Sequence, residues 1–242
     1  MRGKFALFVA ACCLLTSASG SVVTTLRSAS PVAGQVHTVV GILLGILCFI
    51  LGVWCFLDKQ AVYRWLGLLI VTATGLEGMT RAVMVHACFA PVLFGTVVAA
   101  GLFRPGDRPL ALPGASSLRW LITSLPGLIL LQIALGAAHR HQMAGVMLHM
   151  GGAMLVAGLT LVVSLLLLQK LPPGVWLRSL TTSLVWLIPL QVSLGITVYV
   201  IRLLEPESPV PVVLAAAAHV TGGAAVLAAT AILAIQYQRT VS

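Results

Sequence analysis

The stretch "AGVMLHMGGAML", residues 144–155, carries no acid or basic chain other than one histidine, set in an apolar helix-forming run with two glycines close behind. Read outward, the apolar run extends over 143–168. At about 1.5 Å per residue a helix of that length is long enough to cross the ~30 Å hydrocarbon layer of a bilayer. Seven further runs of this kind lie at 5–25, 32–57, 62–79, 82–103, 118–138, 176–203 and 209–236. Pro91, Pro126 and Pro189 interrupt three of the eight. Transmembrane helices tolerate such prolines where neighbours satisfy the freed carbonyl.

Composition agrees with that reading. Of 242 residues, 60% are hydrophobic and 8% charged, with a mean hydropathy of +1.09, which excludes a water-soluble globular domain. The expected fold is an all-α membrane protein of eight transmembrane helices in a lipid bilayer. The net charge of +9 is explained by topology, so no nucleic-acid partner is inferred from it. If odd helices run outward, one side collects Arg2, Lys4, Lys59, Arg64, Arg104, Arg108, Arg119, Lys170, Arg178 and Arg239, and the other only Arg27, Arg81, Arg140 and Arg202. Ten against four places both termini in the cytoplasm, as expected for a bacterial-type inner membrane protein.

The opening "MRGKFALFVAACCLLTSASG" also has the build of a signal peptide, but its apolar run continues through "SVVTTL", and a retained first helix is expected. Five cysteines, at 12, 13, 48, 55 and 88, all fall in predicted spans with no Cys-x-x-Cys pair. They read as small buried hydrophobes.

Four of the six histidines obey a rule. His37, His86, His149 and His219 each lie a few residues into an even-numbered helix, in the outer half of the bilayer, and no odd helix has a counterpart. One histidine in an apolar helix is commonly an interhelical hydrogen-bond donor. One on every second helix instead suggests a cofactor, because ionisable groups in a membrane are expensive. Zinc would want a tighter cluster with a carboxylate or water site, and a proton relay would want acids in the same layer. Neutral imidazoles on facing helices suit axial ligation of heme iron, two rings to one porphyrin. Glycines beside the ligand, in "HMGGA" (149–153) and "HVTGGA" (219–224), would let the flat macrocycle approach the backbone.

A repeat runs through the chain. "LQIALG" (131–136) and "LQVSLG" (190–195) each precede a histidine-bearing helix, with weaker counterparts "TSASGS" (16–21) and "TATGLEG" (72–78) before His37 and His86. The expected organisation is two tandem, pseudo-symmetric four-helix bundles, over residues 1–110 and 111–242.

In these features the chain resembles the heme A synthase family. "LLQIALGAAHRHQ" (130–142) is similar to that family's fifth helix with its Gly-x-x-x-Arg-His ending, "LLTSASGSVVT" (14–24) is similar to its first, and the Leu-Gln-x-x-x-Gly passage into a histidine helix recurs in helices 7 and 8. The resemblance implies that His37 and His86 flank a substrate porphyrin, heme O, and that His149 and His219 ligate heme b. The implied reaction is oxidation of a ring methyl to the formyl of heme A, with electrons leaving through heme b. Arg140 matches the family arginine and would pair with heme propionates through charge-assisted hydrogen bonds, with Arg27, Arg81 and Arg202 as weaker counterparts, and His139 and His141 within reach of a propionate.

The departures bear on catalysis. The family carries Glu-x-x-His-Arg on helix 2, whereas "GQVHT" (34–38) puts Gly34 at the acid and Thr38 at the arginine. Glu77 is the candidate replacement acid, with Arg81 as its competing ion-pair partner. The cysteine pair that many members carry in the first outer loop is missing from "RSASPVAG" (27–34). Two functions are therefore expected in competition: a compact heme A synthase, or a diheme cytochrome b that passes electrons within a respiratory assembly, with quinone or other membrane subunits as partners. A heme scaffold without turnover is the third.

Overall fold

The computed structural model describes residues 1–26, 31–79, 83–103, 116–204 and 208–240, which form eight helices. These are α1 (Arg2–Leu26), α2 (Pro31–Phe56), α3 (Ala61–Met79), α4 (Val83–Leu102), α5 (Ser116–Arg140), α6 (Val146–Lys170), α7 (Trp176–Leu203) and α8 (Val210–Thr240). Among the described residues there is no strand. Seven of the helices are long and apolar enough to cross a membrane. The exception is α3, whose 19 residues include Arg64 and Glu77 near its two ends. Pro91, Pro126 and Pro189 lie inside α4, α5 and α7, which continue through them.

Large apolar side chains cover the exposed faces: Ile42, Ile46 and Phe49 on α2, Leu155 and Leu165 on α6, Trp186 and Leu190 on α7. Apolar surface on this scale belongs against lipid. The protein is a multi-pass helical membrane protein.

The chain divides into two compact units, Met1–Leu102 with Ser193–Ala224, and Phe103–Val192 with Ala225–Ser242. In the first, α1 packs against α2 and α4, and α3 packs against the same two helices, closing a four-helix ring. Glycines bring the backbones together. A Cβ on Gly67 would run into the Gly52 carbonyl and lie 2.5 Å from Phe56 N, and one on Gly52 would lie 2.6 Å from Val71 Cγ2. With no hydrophobic effect between helices in lipid, such close packing supplies much of their attraction. One end of the ring is tied by Arg2, which pairs with Asp58 in the α2–α3 turn and stacks its guanidinium 3.4 Å from the centroid of the Tyr63 ring. Burial of Ala6, Val9, Ala10 and Cys13 makes α1 an integral wall of the ring.

In the second unit α5 packs on α6. The Arg178 guanidinium donates to the carbonyls of Leu168 and Leu171, at 2.7 and 2.5 Å, satisfying acceptors that the end of α6 would leave bare. Buried hydroxyls close on their own helices: Thr160 donates to Val156 O, Thr181 to Leu177 O and Thr230 to Val226 O. This is the economical way to carry a hydroxyl through hydrocarbon.

Candidate functional site

His37 lies six residues into α2 and His86 three residues into α4. The ring places the two helices on either side of α1 and of α3, and the imidazoles meet: their centroids are 6.1 Å apart with the planes at 86°. Both side chains are half-buried. The sequence expected this pair, and the fold brings it together.

Each ring has its Nδ1 engaged. Ser19 Oγ, on α1, lies 2.8 Å from His37 Nδ1, while the Ser19 hydroxyl hydrogen is directed 2.7 Å to Thr16 O. When that single proton goes to Thr16 O, Ser19 Oγ accepts and His37 Nδ1 is the N–H. His86 Nδ1 pairs with Glu77 Oε2 from α3. An ionised carboxylate can only accept, so His86 Nδ1 is likewise an N–H. With the proton on Nδ1 in both rings, Nε2 would be the nitrogen left to bind a metal.

The 6.1 Å between ring centres is close to the span of two imidazoles that share one metal. With metal–nitrogen bonds of about 2.0–2.1 Å and each nitrogen about 1.1 Å from its ring centre, two axial imidazoles hold their centroids roughly 6–6.5 Å apart. Among the described residues no three or more His, Cys, Asp or Glu side chains converge as a cage for a bare metal ion. Heme iron needs only two from the protein, because the porphyrin supplies the others.

His149 and His219, on α6 and α8, are also half-buried. His149 Nδ1 lies 2.8 Å from Gln132 Nε2 of α5, and the same amide nitrogen donates to His149 O at 2.6 Å. In this arrangement the amide gives one hydrogen to the carbonyl and one to Nδ1, so the His149 proton sits on Nε2. Turning the amide over would present Oε1, which is buried and without a hydrogen-bond partner, to an Nδ1–H and release Nε2 as a ligand.

A second device recurs in both units. A Cβ built on Gly20 would lie 3.0 Å from His37 Cε1, one on Gly136 would lie 2.8 Å from His149 Cε1, and one on Gly195 would lie 2.9 Å from His219 Cε1. On three odd helices a glycine forms the notch in which the next helix's imidazole sits. Gly75 and Gly78 of α3 have nothing within 4 Å at the corresponding place, and there Glu77 meets the ring instead.

The sequence repeat contained these glycines, but its reading gave the role to those following the histidines. Of these, Gly151 faces open space, and a Cβ on Gly152 would lie 2.5 Å from Gln132 Oε1. Gly152 therefore admits the glutamine that holds His149. Ser19, Gln132, Gly20, Gly136 and Gly195 had no role assigned from sequence. A signal for two of them was present: Gln and Gly four residues apart in Leu-Gln-x-x-x-Gly share one helix face.

Gly34, where the resemblance looks for an acid, has nothing within 4 Å of its would-be side chain. Thr38 turns back to donate to Gly34 O at 3.0 Å. Arg140 ends α5, half-buried, and Arg202 is exposed near the end of α7. Arg27 and Arg81 lie outside the described residues. Just beyond α5, burial and the adjacent Arg140 guanidinium push the His141 imidazole below its ordinary range.

Neither a protein-family model nor a curated protein matches this chain.

Proposed function

We propose that this chain is a heme-binding redox protein of the membrane, in which His37 and His86 would hold one heme and His149 and His219 would be the residues to bind a second heme, heme b. The observation that carries this reading is the His37–His86 pair, 6.1 Å between ring centres, with Ser19 against one Nδ1 and the Glu77 carboxylate against the other. That would leave the two Nε2 atoms to bind the iron. Ser19 and Glu77 orient the rings, and the apolar helices around them exclude water. Bound heme would supply a one-electron couple. Arg140, at the end of α5, is the group assigned to a heme propionate.

Passing electrons is favoured over oxidising a bound porphyrin. Gly34 leaves empty the place where the heme A synthase resemblance puts a carboxylate, and Glu77 sits against His86, so among the described residues no further carboxylate stands beside this pair to act on a substrate methyl group. The same reading takes the chain as two tandem, pseudo-symmetric bundles in a bacterial-type cytoplasmic membrane. The ten-to-four split of basic residues puts both termini inside, and quinone or subunits of a respiratory complex are the exchange partners.

The test is a pyridine hemochrome assay on the full chain purified in detergent, with heme stoichiometry per chain and acid extraction after co-expression with a heme O synthase. Two low-spin hemes, both extracting as heme B, are expected. Hydroxylated or formylated porphyrin in the extract would establish ring-methyl oxidation instead, with Glu77 as its acid. Failure of the protein to take up heme at all would overturn both.

A further inference from the structure

We infer that Glu77 is a positioning residue that sets the redox preference of the heme between His37 and His86, favouring the ferric state. The inference rests on the ligand assignment above and goes beyond it, since it concerns which oxidation state the site prefers.

The two ligands of this pair are supported unequally. His37 hydrogen-bonds to a neutral hydroxyl, Ser19. His86 Nδ1 sits against a carboxylate, Glu77, whose side chain is 12% exposed against 40% for His86 itself. A carboxylate on Nδ1–H pulls the ring toward imidazolate character and makes Nε2 a stronger donor. Nearly out of water, its negative charge is also poorly screened from the iron. Both effects stabilise the more positive ferric centre over the ferrous one, through ligand basicity and charge near the metal.

Among the described residues, the other histidines have no acid from α1 to α8 beside them. The His149 partner is the neutral Gln132, and a glycine seats His219. No other acid falls within α1 to α8, because Asp58 lies in the α2–α3 turn and Asp107, Glu205 and Glu207 lie outside the described residues. Among the described residues the pairing of a histidine with a carboxylate occurs at this one place.

The experiment uses the full chain in lipid nanodiscs, in a His149→Ala background so that one heme is read, loaded with ferric protoporphyrin IX. Affinities for the ferric and reduced forms, the potential, and the low-spin EPR signal are measured for the parent, Glu77→Gln and Glu77→Asp. Glu77→Gln keeps an acceptor for Nδ1–H and removes the charge. It is expected to shift the ferric-over-ferrous preference about tenfold toward ferrous, which is 59 mV for a one-electron couple, with heme still low-spin. Glu77→Asp keeps the charge and is expected to stay at the parent potential, even if total affinity falls because the carboxylate is one methylene short.

An unmoved potential in Glu77→Gln with heme bound would overturn the inference and leave the ligand assignment standing. So would a Glu77→Asp potential that moves as far as that of Glu77→Gln, which would mark Glu77 as merely structural. If His37→Ala with His86→Ala leaves heme content and spectrum unchanged in the same background, the ligand assignment itself falls, and the inference with it.

Discussion

His86 and His149 stand at the same register, each three residues after the first residue of its helix, yet their Nδ1 atoms meet opposite chemistry. Glu77 is an acceptor and fixes His86 with Nε2 as the lone pair. Gln132 as oriented is a donor and fixes His149 with the proton on Nε2. His37 sides with His86 when the Ser19 hydroxyl donates to Thr16 O. One helix scaffold with one histidine placement thus surrounds its imidazoles with different partners. Histidine position alone does not make a ligand. The group on the far nitrogen decides which nitrogen can bind.

The strongest way to break this comparison is through the glycine notches. Gly136→Ala puts a methyl 2.8 Å from His149 Cε1, and overpacking of this kind costs about 1–3 kcal/mol. It is expected to displace the ring and abolish one heme per chain, read by absorbance against protein concentration. Gly75→Ala and Gly78→Ala, with nothing within 4 Å, should keep full heme content and gain roughly 0.5–1 kcal/mol from helix propensity. Equal heme loss in all three variants would show that the notch has no special role.

The tautomer contrast is sharpened at Gln132. Gln132→Glu makes the His149 partner an acceptor, as Glu77 is for His86, and should strengthen heme binding at that site. Gln132→Ala should weaken it by about 10–100-fold, the usual cost of losing a ligand's outer-shell partner. Titration with ferric heme reads both, and a weaker Gln132→Glu would contradict the tautomer argument.

A smaller effect separates the two units by pH. The Asp58 carboxyl is held below its ordinary value by the Gln60 backbone N–H and by Arg2. Since its folded value is depressed, its contribution is present above the ordinary aspartate value of about 3.9 and is lost as pH falls through the lower folded value. Thermal unfolding of the full chain should therefore lose stability in that acid window, and Asp58→Asn should flatten the loss. The effect is small because the site is solvent-exposed. The smallest change expected is from Gly34→Glu, which enters open space and should leave folding and heme content intact. Formylated porphyrin appearing in that variant would show that the acid alone separates the carrier from the oxidising enzyme.

Much of this was legible in the chain. The eight runs read from sequence match α1 to α8 to within a few residues, and even the three prolines stay inside their helices as expected. The His37–His86 meeting was legible too, since both open even helices of the first ring. The partners were not. Glu77 was read as a candidate acid or as a partner of Arg81, which lies outside the described residues, and the contact with His86 was not foreseen. Ser19 was hidden in "TSASGS", where Ser17, Ser19 and Ser21 are alternatives that only helix rotation separates.

Sequence by itself determined that this chain is a bundle of membrane helices and where each begins and ends, because hydrocarbon thickness and the cost of bare backbone groups in lipid act on length and composition alone. Tertiary structure decided which glycine receives each imidazole and whether a hydroxyl, a carboxylate or an amide meets its Nδ1. A helix that is apolar on every side carries no pattern to fix its rotation about its own axis. Only packing against its neighbours turns a side chain toward one partner and away from another.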